Sequence, residues 1–279
     1  MFQYATGRQL ANIKKTNLVL ATYDISGLEK RYYELDKFPL IVELGGSSTV
    51  NKFMNINSKN RLATSFRYYK NKFFGRKIYN EPSFRFNSDI FKIKEKDILL
   101  IGYWQTEKYF KNIREELIRD FTFPHFSNVK NIELSEKIMY SESVAIHVRR
   151  GDYASIKQVN NFHGLCSLEY YKGAIEQLKT IKDNLSFYVF SDDSDWCKDN
   201  LLIENTTFID WNGGKNSFRD MQLMSLCKHN IIANSSFSWW GAWLNQNNDK
   251  IVIAPKRWFA DDRQNNETED LIPNSWIRL

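Results

Sequence analysis

Cysteine is scarce in this sequence of 279 residues. Cys166, Cys197 and Cys227 stand far apart, and an odd, sparse set of cysteines is unsuited to a disulfide framework, so we predict a reducing compartment. No apolar run approaches the roughly 18 residues of a membrane-spanning helix. The first residues also lack the apolar core of a signal peptide. We therefore expect a cytoplasmic protein, with peripheral attachment to the inner face of the membrane as an alternative.

Three signatures of common enzyme classes are also missing from the sequence. The absence of G-x-x-x-x-G-K-[ST] disfavours a P-loop NTPase. The absence of G-x-G-x-x-G disfavours a dinucleotide-dependent dehydrogenase. The absence of G-x-S-x-G disfavours an α/β-hydrolase.

The sequence does have the composition of a globular protein with a basic excess. Hydrophobic residues make up 42% and charged residues 26%, and the length suffices for two domains. The formal net charge of +6 favours anionic partners such as phosphorylated substrates, nucleic acid or an anionic membrane. Because the basic residues are spread along the chain and no nucleic-acid motif accompanies them, we expect no nucleic-acid partner.

Hydrophobic patterns predict the secondary structure of the N-terminal part less clearly than that of the C-terminal part. Helical spacing occurs in residues 1–15 and 105–121, and apolar runs predict strands at 18–23 and 97–103. The polar stretch 127–141 suggests a boundary. We therefore expect two domains, residues 1–130 and residues 131–279.

Strand and helix patterns alternate through the C-terminal part. Its predicted strands are Ser143–Val148, Phe187–Phe190, Thr207–Ile209, Asn230–Ala233 and Ile251–Ala254. Ser167, Ser194 and Ser217 can cap the intervening helices, and Asp220 follows Ser217 with the spacing of a capping box. This alternation predicts an α/β fold with a parallel sheet covered by helices on both faces. Ligands of such folds bind at the carboxyl ends of the strands, so the residues that follow each strand are the candidate site residues.

The first candidate segment is His147–Tyr153, which follows a predicted buried strand. Guanidinium groups match phosphate geometry with paired hydrogen bonds, so Arg149 and Arg150 are candidate phosphate ligands. Gly151 permits close approach of the backbone, and Asp152 can brace one arginine. A surface turn with an internal ion pair is the alternative interpretation.

The second candidate segment follows the next strand and is rich in carboxylates. Asp193-Ser194-Asp195 has the Asp-x-Asp form of a divalent-metal motif. Alternatively, Asp192 and Ser194 are turn and cap residues at the positive end of a helix. Capping is the more frequent reason for such clusters.

Two further segments contribute candidate ligands near later strands. Asp220 can accept hydrogen bonds from the N1 and N2 donors of a guanine, or it can cap a helix. In the segment 234–243, small hydroxyl residues precede a helix, a position that favours a phosphate. The tryptophans of that segment are as consistent with a core as with a stacking platform.

Together these segments carry a resemblance. The sequence His-Val-Arg-Arg-Gly-Asp-Tyr at His147–Tyr153 resembles a signature of the family-eleven glycosyltransferases, the α-1,2-fucosyltransferases. Asp220–Leu244 resembles their second signature, which includes Asn-Ser-Ser-Phe-Ser-Trp-Trp. Ser191–Asp193 with Trp196, and Gly102–Phe110, are similar to two further blocks. These blocks occur in the family's order and span most of the chain.

The resemblance implies a GT-B-like α/β fold with two Rossmann-type domains. Residues 1–130 would form the acceptor-side domain, without its first strand, and residues 131–279 the domain that binds the nucleotide sugar. The implied reaction transfers L-fucose from GDP-β-L-fucose to the 2-hydroxyl of a galactose-terminated glycan, with inversion at the anomeric carbon. The implied setting is bacterial polysaccharide biosynthesis, and no metal or other cofactor is expected.

The resemblance also implies roles for individual residues. Arg149 and Arg150 would bind the diphosphate. Asp152 is a third candidate catalytic residue by its chemistry rather than by the resemblance, because its carboxylate can brace one of the arginines. His147 and Asp220 would face the guanine. Ser235 or Ser236 would lie near the diphosphate. Asp192 is a candidate substrate-binding residue by its position after a strand and not by the resemblance.

The sequence leaves two alternative functions open. Members of the family usually have a short strand and a Gly-Gly-Leu-Gly-Asn-Gln loop ahead of Met-Phe-Gln-Tyr-Ala, with which this sequence begins. A degenerate protein that binds GDP-sugar or glycan without turnover is therefore one alternative, and a metal-dependent glycosyltransferase with another donor is a second. The general base is not assigned, and Asp152, His163 and Asp192 are candidates by chemistry.

Overall fold

The computed structural model describes residues 1–22, 33–54 and 70–279. The chain divides into two units, Met1–Phe123 and Pro124–Leu279. Each unit contains helices and parallel strands, as expected for the predicted GT-B-like fold.

The first unit contains two pairs of parallel strands. Strand β1 (Val19–Ala21) pairs with β2 (Glu43–Gly45), and β3 (Arg76–Asn80) pairs with β4 (Asp97–Ile101). The predicted strands at 18–23 and 97–103 are therefore confirmed in their centres, while Tyr23 lies outside the described residues.

The helices of the first unit begin with α1 (Phe2–Lys14), which confirms the predicted helix at 1–15. The fully buried Tyr4 donates a hydrogen bond from its hydroxyl to Asp120 Oδ2 at 2.7 Å, and Arg8 Nε lies 3.2 Å from the same oxygen. A short helix α2 (Ser47–Asn51) follows β2. Helix α1 is thereby joined to the end of the unit by a buried polar contact as well as by apolar packing.

The predicted helix at 105–121 is wrong in its first half. Two 3₁₀ turns occupy Glu107–Tyr109 and Lys111–Ile113, and the α-helix α3 begins at Arg114 and ends at Asp120. Phe110 has φ −143° and ψ 2°, outside the helical region, and it is completely buried. Burial of this aromatic side chain is favoured over regular helical periodicity, which the sequence pattern alone could not indicate.

A six-stranded parallel sheet forms the centre of the second unit. Its strands are β5 (Glu142–Val148), β6 (Leu185–Ser191), β7 (Thr206–Ile209), β8 (His229–Ile231), β9 (Val252–Ala254) and β10 (Ile277–Arg278). The spatial order is β7-β6-β5-β8-β9-β10, which is the Rossmann order 3-2-1-4-5-6. The predicted α/β fold with a parallel sheet is confirmed.

Burial along β5 shows that both faces of this sheet are covered. Val144 and Ile146 have no exposed surface, and Ala145 and His147, on the opposite face, are 1% and 5% exposed. The helices of this unit are α4 (Val129–Tyr140), α5 (Gly151–Ser155), α6 (Lys157–His163), α7 (Leu168–Lys179), α8 (Ser194–Asn200), α9 (Phe218–Leu226), α10 (Ser236–Leu244) and α11 (Asp262–Asn265). The polar stretch 127–141 is thus mostly helix α4, which begins after the capping residue Asn128.

Strand β5 pairs with β6 on one side and with β8 on the other. The chain therefore leaves the sheet in opposite directions after β5 and after β8, which makes this position the switch point of the sheet. Rossmann-type sheets bind ligands in the crevice outside the carboxyl ends of the strands at such a point. The loops that follow β5, β6 and β8 are consequently the ones that build the candidate site.

Candidate active site

The loop after β5 places Arg149 between two carboxylates. Its Nη2 lies 2.6 Å from Asp152 Oδ1, and its Nη1 lies 2.7 Å from Asp192 Oδ2. The guanidinium carbon is also 5.2 Å from the centre of the Tyr153 ring. Asp152 therefore braces Arg149 from the same loop, and Asp192 does so from the end of β6.

Arg150 is held by a different set of groups. Its Nε donates to Asp193 Oδ2 at 3.0 Å, and its backbone N–H donates to Asp192 Oδ1 at 2.8 Å. Its guanidinium carbon lies 4.0 Å from the centre of the Trp196 ring, a cation–π contact. The Arg150 side chain is 20% exposed. An ion pair on one edge and an aromatic face together fix the orientation of this side chain.

Close approach of two loops explains the glycine after the arginines. A Cβ atom on Gly151 would lie 2.5 Å from Asp192 Oδ2, well inside van der Waals contact. Glycine at this position therefore allows Asp192 to reach Arg149 and the backbone of Arg150 together. Three carboxylates, those of Asp152, Asp192 and Asp193, pair with the two arginines, so the formal charge of the cluster is negative before any ligand binds.

His147 lies at the end of β5 and is buried. Desolvation lowers the pKa of His147 to about 4, so the imidazole is neutral near neutral pH. Within the described part of the chain, the buried Nδ1 of His147 has no hydrogen-bond partner. Its ring centre is 5.6 Å from that of Phe237. A buried ring nitrogen of this kind is suited to a ligand that completes its hydrogen bonding.

Asp220 belongs to a polar network at the end of β7. Asn212 donates from its Nδ2 to Asp220 Oδ1 at 2.8 Å, and Asn212 and Trp211 in turn contact the side chain of Asn131. Desolvation raises the pKa of Asp220 to about 7, although the hydrogen bond from Asn212 lowers it. Burial therefore makes this carboxylate one that titrates near neutral pH.

The capping role predicted for Ser217 and Asp220 is wrong. Ser217 is the residue before α9, but its side chain makes no capping hydrogen bond with the described residues. Its φ of −55° and ψ of −31° are already helical, which differs from the extended backbone of a usual capping residue. The Asp220 carboxylate instead faces Asn212, which lies on the preceding loop.

The serines after β8 divide into a buried and an exposed residue. Ser235 is 8% exposed and caps α10, with its Oγ accepting from the backbone N–H of Phe237 at 3.3 Å. Ser236 is exposed at the first turn of the same helix. The tryptophans that follow are core residues, because Trp239, Trp240 and Trp243 are at most 2% exposed.

Asn234 was not predicted as a site residue and connects three loops. Its Nδ2 lies 2.9 Å from the carbonyl oxygen of His163, 3.3 Å from that of Gly164 and 3.1 Å from that of Trp258. Its Oδ1 accepts from Cys166 Sγ at 3.4 Å. This buried amide holds the loops around the carboxyl end of β8, so its role is structural.

The acidic segment after β6 caps a helix and binds an arginine. Asp193, rather than the predicted Ser194, caps α8, since its Oδ1 accepts from the backbone N–H of Trp196. Its other oxygen binds Arg150. The Asp195 side chain is 98% exposed and lies 3.9 Å from Lys198. The carboxylates of the Asp-x-Asp sequence therefore face different partners. Within residues 1–22, 33–54 and 70–279, no group of three or more metal-binding side chains is found.

The candidate general bases lie in one region of the second unit. Asp152 and Asp192 are both bound to Arg149. The His163 ring stacks on Tyr153, with centroids 4.5 Å apart and planes 10° from parallel. Tyr153 thereby links His163 to the Arg149 guanidinium.

The structure thus brings Arg149, Arg150, Asp152 and Asp192 into direct contact. His147, Asp220, Ser235 and Ser236 lie on strands or segments at the same edge of the sheet. Asp193, Trp196 and Asn212 were not predicted as site residues, although the first two belong to the block that carries the family resemblance. Asp193 and Trp196 reach Arg150 across more than 40 residues of sequence, whereas Asn212 contacts Asp220 across only 8 residues.

Comparisons with known proteins agree with the motifs. The family model described as Glycosyl transferase family 11 matches residues 51–279. The chain is 44% identical to an alpha-1,2-colitosyltransferase of Escherichia coli, over 64% of this chain and 61% of that protein. It is 31% identical to the O-antigen biosynthesis glycosyltransferase WbnK of Escherichia coli, over 100% of this chain and 96% of that protein.

Vertebrate proteins and solved structures are more distant. The galactoside alpha-(1,2)-fucosyltransferase 1 of Homo sapiens is 22% identical over 58% of this chain and 47% of that protein. Fucosyltransferase NodZ from Bradyrhizobium has a TM-score of 0.47 and 13% identity, covering 86% of each chain.

The family model includes the loop after β5, the acidic segment after β6, Asp220 and the serines after β8. The similarity to WbnK extends over the whole chain. The motifs, the Rossmann order of the sheet and these matches agree, and the chain belongs to glycosyl transferase family 11.

Proposed function

We propose that this protein is an inverting α-1,2-glycosyltransferase that moves L-fucose from GDP-β-L-fucose to the 2-hydroxyl of a galactose-terminated glycan. The proposal includes a role in bacterial polysaccharide assembly and peripheral association with the inner membrane face. The observation that carries it is the Arg149–Arg150 loop, which lies at the carboxyl end of the central strand of a Rossmann-ordered sheet. Family membership supports the glycosyl transfer, and the names of the relatives support the α-1,2 linkage.

The diphosphate of the donor is the leaving group of this reaction. The acceptor hydroxyl oxygen bonds to the anomeric carbon from the face opposite the diphosphate, the bond from that carbon to the diphosphate oxygen breaks, and GDP departs with the bonding electrons. The hydroxyl proton passes to a general base, for which Asp152, His163 and Asp192 are the candidates. Negative charge therefore grows on the diphosphate in the transition state. Preorganised cations lower such a barrier. Arg149 and Arg150 are the cations proposed to act there.

The existing carboxylate partners shape this role. Asp152 and Asp192 occupy both terminal nitrogens of Arg149, so a phosphate must displace one of them or bind at the outer edge of the ion pair. The Arg150 Nε is bound to Asp193, and its face rests on Trp196. Hydrogen-bonded carboxylates keep both arginines ordered before the donor arrives, which limits the entropy lost on binding.

The guanine is proposed to contact His147 and Asp220. The neutral His147 has a buried nitrogen that can pair with the nucleotide. The Asp220 carboxylate can accept from the N1 and N2 groups of guanine, which distinguish guanine from adenine. Ser236, exposed at the start of α10, is the serine better placed for the diphosphate, because the Ser235 hydroxyl already caps the helix.

Colitose is the second donor sugar that the relatives favour, because a colitosyltransferase is 44% identical to this chain. Colitose is L-fucose without the 3-hydroxyl. A site that hydrogen-bonds this hydroxyl rejects the deoxy sugar by roughly 10⁴-fold, whereas a site without such a contact discriminates weakly. The ratio of kcat/KM for GDP-fucose and GDP-colitose on one galactoside acceptor decides between the two donors.

Replacement of the arginines tests the proposed mechanism. Loss of one charge-assisted contact costs about 1.5–3 kcal/mol, so Arg149→Ala and Arg150→Ala should each lower kcat/KM by roughly ten- to a hundredfold or more. Arg257→Ala removes an arginine that is 59% exposed and paired with Asp262, and this control should keep its activity. Parental turnover in both site variants would remove the arginines from the mechanism. GDP binding without any turnover in the parent would instead indicate a non-catalytic binding protein.

A further inference from the structure

A pair of adjacent phenylalanines lies on the surface of the first unit. Phe73 is 84% exposed and Phe74 is 53% exposed. Their rings meet edge to face with centroids 5.3 Å apart. Single exposed apolar side chains are ordinary, but two neighbouring aromatic rings that leave the core together indicate a surface with a partner.

The pair lies where a helical segment ends: residues 70–73 are helical, and Phe74 and Gly75 form the turn that follows. The N–H of Phe74 donates to the carbonyl of Lys70 at 3.0 Å, and that of Gly75 donates to the carbonyl of Lys72 at 3.2 Å. Gly75 has φ +64°, a conformation that favours glycine, and the turn leads directly into β3. Asn71, which is 7% exposed, points inward and donates to the carbonyl of Phe53 at 2.9 Å.

The charged residues of the segment that contains the phenylalanines are all cations. Residues 70–80 include four cations and no acidic residue, and the cations are Lys70, Lys72, Arg76 and Lys77. The lysines are exposed, and the Arg76 guanidinium lies 5.0 Å from the centre of the Phe74 ring. Asp97, on the neighbouring strand, is 3.8 Å from Arg76 and offsets part of its charge. The three lysines leave a net positive surface around two apolar rings.

We propose that the segment 70–77, the helix end, the turn and the first residues of β3, docks the protein on the surface of a membrane that contains anionic phospholipids. Aromatic rings partition into the boundary between headgroups and acyl chains, and the surrounding lysines attract the anionic headgroups. Long lysine side chains can keep their ammonium groups at headgroup level while the rings insert. The inference rests on the peripheral membrane association included in the proposed function, and it names the surface responsible.

Vesicle binding by the full chain tests this assignment. Sedimentation with vesicles of phosphatidylcholine containing phosphatidylglycerol should capture the parent protein, and capture should weaken with added salt. The variant Phe73→Ser/Phe74→Ser should bind at least tenfold more weakly. The variant Lys70→Gln/Lys72→Gln/Lys77→Gln should lose about fivefold per charge, which corresponds to ~1 kcal/mol for each cation.

A second exposed apolar pair provides a matched control. Met139 and Tyr140, at the end of α4, are 53% and 90% exposed, but they lie between Glu136–Lys137 and Glu142 without a cationic excess. Met139→Ser/Tyr140→Ser should bind vesicles as the parent does. Unchanged capture of the Phe73/Phe74 variant, equal loss in the control, or no capture of the parent would each overturn the proposal.

Activity on a water-soluble galactoside separates this inference from the proposed function. The Phe73/Phe74 variant should keep the parental turnover of GDP-fucose on that acceptor, which also shows that it is folded. If the parent binds vesicles but transfers no sugar, the catalytic proposal fails and the docking surface stands. If the parent transfers sugar but does not bind vesicles, the docking surface fails and the catalytic proposal stands.

Discussion

Among single residues, Asp220 is the one whose protonation state would control the proposed contact with guanine. Its carboxylate is partly buried and receives a hydrogen bond from Asn212, and burial raises its pKa to about 7. A carboxylate that accepts from guanine must be ionised. Since His147 has a pKa lowered to about 4, it stays neutral over the range in which Asp220 titrates.

We therefore expect GDP affinity to fall as the pH drops below the pKa of Asp220. The charged form, which binds, is present above this pKa and is lost below it, so affinity should weaken by roughly tenfold per pH unit under about pH 7. Calorimetric titration with GDP between about pH 5.5 and 8.5 measures the effect. Asp220→Asn should remove the pH dependence, and Asp210→Asn, at a more exposed carboxylate after the same strand, should retain it. Constant affinity across this range would contradict a guanine contact.

Gly151 is the second residue with a sharp expectation. An added Cβ would collide with the Asp192 carboxylate, which is the end of a short side chain and can move aside. Such movement would break the contacts of Asp192 with Arg149 and with the backbone of Arg150. Gly151→Ala should therefore disturb the site while the fold persists.

The expected result for Gly151→Ala is a kcat/KM at least tenfold lower, with a melting temperature within a few degrees of the parent, as for loss of one charge-assisted contact. Gly213→Ala is the matched control, because a Cβ there would meet nothing within 4 Å. Kinetics and thermal unfolding of both variants are needed. Full activity of Gly151→Ala would show that Asp192 is dispensable for ordering the arginines.

At the scale of elements, the amino ends of β5 and β8 are joined by a partly exposed charge cluster. Glu142 accepts from Lys228 Nζ at 2.7 Å and lies 2.9 Å from His229 Nε2, and Lys182 is 3.9 Å away. The N–H of Ile251 donates to His229 Nδ1, which leaves the proton of the neutral ring on Nε2, facing Glu142. The hydrogen bond from Lys228, more than that from His229, lowers the pKa of Glu142.

This cluster predicts a pH-dependent contribution to stability. Because the folded-state pKa of Glu142 is lowered, its contribution is complete above the ordinary value of 4.5 and is lost as the pH falls through the folded value. Glu142→Gln should lower the free energy of unfolding by about 1 kcal/mol near neutral pH, because water screens this partly exposed ion pair, and the difference should shrink in acid. Glu176→Gln, at a 70% exposed ion pair with Lys179, should change little. Denaturant unfolding of the parent and of both variants, near neutral pH and in acid, measures these free-energy differences.

At the scale of the whole molecule, the prediction concerns whether sugar transfer requires a divalent metal ion. We predict that transfer needs no divalent ion, because Arg149 and Arg150 would stabilise the departing diphosphate. Activity should be unchanged in excess EDTA and should not rise when Mg²⁺ or Mn²⁺ is added back. Abolition by chelation with recovery on metal addition would support metal-dependent transfer.

Among the described residues, no helix is both long and apolar enough to cross a bilayer.

Much of the second unit could be predicted from local sequence. Apolar runs identified five strands of its sheet, and Ser167 caps α7 as expected, with its Oγ accepting from the N–H of Tyr170. The short strand β10 was not predicted, because a pair of residues carries too little pattern. The predicted cap of α8, Ser194, is one residue too late. Asp193 and Ser194 are both good capping residues, and the observed cap Asp193 also binds Arg150 through its other carboxylate oxygen.

The sequence alone determined the family, through motifs that resemble its signatures. It also determined the α/β class and the position of the arginines after a buried strand, since these depend on local composition and on spacing along the chain. Tertiary structure decided what those arginines touch: Asp192, Asp193 and Trp196 are more than 40 residues away in sequence. It also decided the protonation of His147 and Asp220, because a pKa depends on burial and on neighbours from other elements, which periodicity does not encode.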